Sequence, residues 1–339
     1  MKKTIFTIGF IALTISTSTL LAQSNYRIAN KIPVTGEGSW DYLNVDEVNG
    51  VIFVSHATVA QAIDIKTGKL VGTIPDTKGI HGIAIANDLN KGFTSNGRDS
   101  SVTIFNLKTL EVITKIQVTG QNPDAILYDP FSQKVFTCNG RSNNSTVIDA
   151  KTNKVIATIP LDGRPEFSVT DVKGKIFINI EDKSLINVIN SATLKVEQHW
   201  PIAPGDGPSG LALDNETHRL FSVCSNKLMV VIDAETGKII TTLPIGDRCD
   251  GVAFDPAKKR AYSSNGEGSI TVVQEENGNS FKVLETVTTM PGAKTIAINK
   301  VTHHLYLTTA EYQTAPTAAN RRPPVKPNSF QILDVETLK

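Results

Sequence analysis

Three cysteines, three methionines and two tryptophans in 339 residues are what this chain has least of. The thiols, Cys138, Cys224 and Cys249, are too few for a disulfide scaffold, so the fold must rest on ordinary apolar packing. At most one bridge can form among them; a Cys224–Cys249 pair is the candidate and two buried thiols the alternative. Net charge is nearly absent too, with 34 Lys and Arg against 33 Asp and Glu. That balance argues against a protein held on nucleic acid or on a membrane surface by bulk charge. No serine-nucleophile elbow and no phosphate-binding loop occurs, which removes the enzyme classes that those turns define.

The N-terminus reads Met-Lys-Lys, an apolar stretch over residues 5–21, then Ala22 before Gln23. A short positive start, a limited apolar core and a small residue at the end form the pattern of a cleaved secretory signal. The stretch is short for a membrane anchor and carries Thr and Ser between Thr14 and Thr19. Residues 1–22 are therefore expected to be removed, leaving residues 23–339 as one periplasmic or secreted domain without a membrane anchor. A monomer is the expected state.

What the chain has in abundance is repetition. A short strand such as Gly210-Leu-Ala-Leu-Asp or Gly251-Val-Ala-Phe-Asp precedes a second such as Lys134-Val-Phe-Thr-Cys-Asn. A third of the type Val230-Val-Ile-Asp follows, then a Thr-Gly-Lys turn and a fourth like Ile239-Ile-Thr-Thr-Leu-Pro. The residue before each first strand gives seven markers, Asp41, His81, Asp124, Glu166, Ser209, Asp250 and Lys294, spaced 40 to 44 residues apart. Each copy holds four Val/Ile/Thr/Phe-rich alternating segments separated by Asp, Asn and Gly, which is the strand signature. Four strands in about 42 residues make one blade of a β-propeller, and a lone blade cannot bury its faces. The expected fold is therefore all-β, a seven-bladed β-propeller of four antiparallel strands per blade.

The last copy ends at Lys339 without its fourth strand, while residues 27–33, Arg-Ile-Ala-Asn-Lys-Ile-Pro, match that strand and precede the first marker. The N-terminal strand is thus expected to complete blade seven and close the ring. The pattern of strand, Asn-Gly, Val-Ile-Asp, Thr-Gly-Lys and Ile-Pro resembles the YVTN-repeat, YncE-like family of exported bacterial propellers across the mature chain. Blade four departs from it, with Asn179-Ile-Glu-Asp in place of the Asn-Gly turn, and blade seven carries an insertion over residues 309–329. The resemblance implies a fold rather than a function, since related propellers include binding proteins, lyases, lactonases and cofactor-bearing dehydrogenases.

Residues that recur in most blades serve the blade. Asp46, Asp129, Asp171, Asp214 and Asp255 end first strands, and Asp64, Asp149, Asp233 and Asp334 precede the Thr-Gly-Lys-like turns, where a carboxylate bonds its own backbone. The seven markers instead differ, and propeller topology gathers them at one mouth of the channel. A second ring is expected at the ends of the second strands, with His56, Asn96, Asn139, Cys224, Asn265 and Thr309. Trp40, beside Asp41, is placed to stack on a ligand or to pack between blades. Arg98 and Arg141 in the same turns, with Tyr312, Arg321, Arg322 and Lys326 of the insertion, add a basic rim or lid.

A ligand held at this mouth, either a small molecule or a polysaccharide, is the first reading; solvated loops around a wet channel are its bland counterpart. A metal-assisted lyase or lactonase is the alternative. His56, His81, Asp124, Glu166 and Asp250 would hold a divalent metal, His81 would act as base, and Lys294 would stabilise developing negative charge. The cofactor is otherwise undefined. Single-stranded nucleic acid bound through the arginines is a third reading, and the neutral charge weighs against it.

Overall fold

The computed structural model describes residues 24–315 and 323–338. It contains seven four-stranded antiparallel sheets, arranged as a seven-bladed β-propeller. Blades one to six run in chain order, each made of four consecutive strands; blade one is Trp40–Asp46, Val51–His56, Val59–Asp64 and Leu70–Ile74. Blade seven consists of Ile296–Ile298, Leu305–Thr309, Gln331–Thr337 and the N-terminal strand Tyr26–Pro33. That last strand pairs antiparallel with Gln331–Thr337, from Tyr26 opposite Thr337 to Pro33 opposite Gln331. The ring therefore closes as expected, with the first and last described strands paired in one sheet.

The packing follows from the period of two along each strand. In Val51–His56, Ile52 and Val54 enter the cluster shared with blade seven, while Val51 and Phe53 enter the cluster shared with blade two. Similar clusters lie at each of the other blade junctions. Aromatic pairs fill several of them: Phe53 meets Phe105 with ring centroids 5.3 Å apart, and Phe221 meets Phe254 at 5.1 Å. Each such ring, fully or nearly fully buried, contributes roughly 2 kcal/mol by leaving water.

At the closure, Tyr26 Oη lies 3.1 Å from Tyr262 Oη, and Arg260 donates to Tyr26 Oη at 2.7 Å. The N-terminal strand is thereby tied to blade six as well as to blade seven. Repeated carboxylates behave as turn formers: Asp46 accepts from the backbone of Val48 and Asn49, and Asp64 from Thr67. Asp334 differs, because its partner is His304 Nδ1 at 2.6 Å.

The described cysteines are all buried and unbridged. Cys249 Sγ donates to the Cys224 carbonyl at 3.1 Å, and burial pushes both thiols up to about 12. Among the described residues no helix is long and apolar enough to cross a membrane. The expected signal sequence, residues 1–22, lies outside the described residues.

Candidate functional site at the channel mouth

Five of the seven markers meet through their side chains. Asp41 stands between two cations: its Oδ2 is 2.7 Å from His81 Nδ1, and its Oδ1 accepts from Lys294 Nζ at 3.0 Å. His81 Nδ1 also lies 2.9 Å from Asp124 Oδ1. Lys294 pairs in addition with Asp250. A chain of alternating charge thus runs from Asp124 through His81, Asp41 and Lys294 to Asp250. Glu166 occupies the remaining arc and feels both Asp124 and Asp250. Ser209 is turned away, its hydroxyl given to the Cys249 carbonyl at 3.2 Å.

The propeller aims these residues with side chains from the neighbouring blades. Ser95 of blade two donates to the Asp124 carbonyl at 3.2 Å, and Ser264 of blade six to the Lys294 carbonyl at 2.6 Å. Asn179 of blade four donates to the Ser209 carbonyl at 2.8 Å. Thr295 and Thr308 of blade seven both donate to the Asp41 carbonyl, at 2.7 and 3.2 Å. Each donor bridges one blade to the next at marker level, so the register of the ring is set by hydrogen bonds as well as by packing.

The electrostatics follow from this geometry. Burial works against ionised Asp41, yet Lys294 and His81 outweigh it and hold the carboxyl down at about 2. Burial likewise disfavours a charged His81, but the hydrogen bonds to Asp124 and Asp41 lift its imidazole to about 10, so it is a cation at neutral pH. Lys294 is raised in the same manner by Asp250 and Asp41. Glu166 has the opposite surroundings: burial, then Asp124, Asp250, Glu181 and Asp41, push it well above the ordinary carboxyl range. It therefore holds its proton more readily than an ordinary carboxyl does, and it shares a side-chain hydrogen bond with Glu181. Glu181 in turn pairs with Arg164.

Below the carboxylates lies a ring that the sequence reading missed. Tyr42 of blade one reaches across the channel to Phe167 of blade four, with centroids 5.1 Å apart. Its phenol is raised by burial and by the charges of Asp250, Glu166, Asp41 and Asp124, and it has no hydrogen-bond partner among the described residues. Glu181 and Arg164 were missed as well, although the replacement of the Asn-Gly turn by Ile-Glu-Asp marked blade four as different. The inter-blade pins leave a signal of their own in Ser95, Asn179, Ser264 and Thr308, polar residues at one position of second strands otherwise built for burial.

Other expected site residues lie elsewhere. Asn96, Asn139 and Asn265 are wholly buried inside their blades. Asn96 accepts from Thr94 and donates to Ser101 and Thr103, and the other two repeat the arrangement with Thr137, Asn144 and Thr146, and with Ser263, Ser269 and Thr271. Their amides are spent on holding the turn. Buried Cys224 and Thr309 also belong to the blade interior. His56 stacks near Phe330 at 4.4 Å and shares a hydrogen bond with Gln61 at 2.8 Å, so it is not among the mouth's metal-ligand atoms. Trp40 packs on the same Phe330, with centroids 5.2 Å apart, the inter-blade role.

Arg98 lies over Gly79 at the rim, and Arg141 follows the equivalent turn in blade three. The base of the blade-seven insertion forms a narrow ribbon in which Tyr312 pairs with Val325 and Gln313 donates to the Pro324 carbonyl at 2.8 Å. Tyr312 covers Gly292, two residues before Lys294, so the insertion rises beside the mouth. Arg321 and Arg322 lie outside the described residues, and Lys326 pairs with Glu311 at 2.9 Å.

Asp41, His81 and Asp124 offer donor atoms within 4.8 Å of one another, the spacing of a metal site. Two carboxylates and an imidazole suit zinc, iron or manganese, though a metal there must displace the proton on His81. A surface depression of about 380 Å³ lies between blades six and seven on the face opposite the mouth, lined by Lys258, Thr302, His304, Glu336, Thr337 and Leu338. It is shallow, and His304 there is already paired with Asp334 and Glu336, so the chemistry concentrates at the mouth.

No family model and no curated protein matches the sequence. Solved structures match the fold. The chain is similar to hydrazine synthase of Kuenenia stuttgartiensis at TM-score 0.71 and 15% identity, covering 81% of this chain and 94% of that one. It is similar to a chain of the mitotic checkpoint complex at TM-score 0.77 and 10% identity, covering 99% of both. At such identities the likeness is one of fold, that of the seven-bladed propeller.

Proposed function

We propose that this is an exported propeller, periplasmic or secreted and of the YVTN-repeat, YncE-like kind, that binds a ligand at the channel mouth. The observation carrying the reading is the convergence of Asp41, His81, Asp124, Glu166, Asp250 and Lys294, one from each of six blades, over the Tyr42–Phe167 pair. Burying that many ionisable groups costs stability that a purely structural mouth has no need to give up. The N-terminal pattern supports export, and the blade-seven ribbon supplies a wall on the open side.

The test is a thermal-shift screen of small polar metabolites and oligosaccharides against the wild type and a His81→Ala, Asp124→Ala, Asp250→Ala variant. Ligands that stabilise the wild type should lose their effect on the variant. An unchanged pattern of hits would place binding elsewhere.

A metal-assisted enzyme is a second reading, favoured by the clustered donors of Asp41, His81 and Asp124. His81 would then act as ligand rather than base, and Lys294 would face developing negative charge. Elemental analysis of untagged protein, with turnover of lactones and uronic polysaccharides before and after chelation, decides it. Absence of both metal and turnover removes the reading.

A further inference from the structure

The chain passes from the N-terminal strand of blade seven into blade one through residues 34–39, and one buried side chain sits at that crossing. His56 is 2% exposed. Its Nδ1 lies 2.8 Å from Gln61 Oε1, and the Gln61 amide is oriented by its own donation from Nε2 to the Thr35 carbonyl at 2.9 Å. Gln61 Oε1 therefore accepts, His56 Nδ1 carries the ring proton, and His56 Nε2 is left with its lone pair. That atom is buried and has no partner among the described residues.

The crossing is packed on this ring. Phe330 of blade seven lies 4.4 Å from it between centroids and stacks in turn on Trp40, while the Phe330 carbonyl accepts from the Val34 amide at 2.9 Å. Gly36 comes so close that a Cβ there would stand 2.9 Å from His56 Cε1. None of these neighbours titrates, whether Thr35 and Gly36 of the crossing, Trp40 and Gln61 of blade one, or Phe330 of blade seven. Glu37 of the crossing is exposed, and Asp41, next to Trp40, is held by His81 and Lys294. A proton on Nε2 would thus bury a cation and an N–H that has no acceptor, a cost that the attraction of the Phe330 face does not offset.

We propose that His56 is an acid-sensitive latch on the seam between blades seven and one: with Nε2 bare the crossing stays packed, and protonation releases Phe330 and residues 34–36 from the ring. The latch is independent of what the mouth binds. Burial holds the imidazole below its ordinary value of 6.5, with the Gln61 bond opposing. In a loosened seam the ring meets water and titrates at that ordinary value. The packed state is therefore fully favoured above pH 6.5, loses favour by up to about tenfold per pH unit below it, and levels off beneath the lowered value.

Hydrogen exchange of the Val34 amide, followed by NMR from about pH 7.5 to 5 and corrected for the intrinsic effect of pH, tests the latch. The Val34 opening constant should rise at least about tenfold between pH 7 and 5. The Ile245 amide, at the corresponding place between blades five and six and bonded to the Lys227 carbonyl, should change less than about twofold. His56→Gln keeps a donor for Gln61 without titrating and should flatten the Val34 response. Gln61→Glu supplies a counter-charge at Nδ1 and should abolish or reverse it. A flat response at Val34 in the wild type, an equal rise at Ile245, or a rise that persists in either variant overturns the proposal. Thermal unfolding at neutral pH checks that the variants are folded. If they are not, the NMR titration of His56 in the wild type decides: a pKa below 6.5 together with the Val34 rise supports the latch, and a pKa at or above 6.5 overturns it.

Discussion

Tyr42 and Phe167 come from blades one and four and touch across the channel, their ring centroids 5.1 Å apart. The two rings therefore bridge the channel next to the marker ring. Tyr42 also joins the apolar cluster of blades three and four, so it braces the ring from side to side.

This bracing predicts a divided response to substitution. Tyr42→Ala should destabilise the protein by about 3 kcal/mol, through lost burial and the cavity left behind. Tyr42→Phe should cost less than about 1 kcal/mol, because the hydroxyl gives up no protein hydrogen bond. Urea unfolding monitored by circular dichroism measures both, and equal losses would show that the hydroxyl is structural.

Gly97 lies beneath His81. A Cβ there would stand 2.9 Å from His81 Cδ2 and Nε2 and 2.8 Å from Asn122 Oδ1, closer than non-bonded carbon tolerates. Gly97→Ala should push the imidazole off Asp41 and Asp124, and its pKa, read by NMR titration, should fall from about 10 toward the ordinary histidine value. Gly278→Ala, whose nearest neighbours are at 3.5 Å, is the control and should leave the titration alone.

The pH dependence of stability has a definite sign. The folded-state pKa of His81 is raised to about 10, so its contribution is full below the ordinary histidine value and fades as pH rises through 10. That of Asp41 is lowered to about 2, so its contribution is present above the ordinary aspartate value and fades as pH falls toward 2. The stability difference between wild type and His81→Asn should accordingly be largest between about pH 4 and 6.5, at roughly 2 kcal/mol or more, and shrink on either side. Chemical unfolding across that range tests it; a flat difference would mean that the Asp41–His81–Asp124 contacts carry little energy.

Much of this architecture was legible in the amino-acid order. The period of 40 to 44 residues set the blade count, and the stray match of residues 27–33 to a fourth strand set the closure. The marker ring was legible for the same reason, since Asp41, His81, Asp124, Glu166, Asp250 and Lys294 differ at a position that topology makes common. Side-chain direction was not. Asn96, Asn139 and Asn265 end strands that lead to the mouth, but their amides turn inward to hydroxyls two residues back and on the next strand. The Thr-x-Asn and Ser-x-Asn spacing held that information. The reach of Tyr42 depends on the channel's width, which no local pattern encodes.

The three thiols, each raised to about 12 by burial foremost, should resist Ellman's reagent in the native state and react at once in denaturant. Fast labelling of any one in the folded protein would contradict their burial. Mass spectrometry without reductant should find Cys224 and Cys249 both free.

Hydrogen–deuterium exchange with a ligand from the screen tests the central claim most directly. Binding at the mouth predicts slowed exchange at residues 40–43, 79–82, 122–125, 164–167 and 248–251, with the turns at residues 46–50, 129–134 and 255–260 unaffected. Protection confined to those latter turns, at the other end of the channel, would contradict the assignment of the mouth as the binding site.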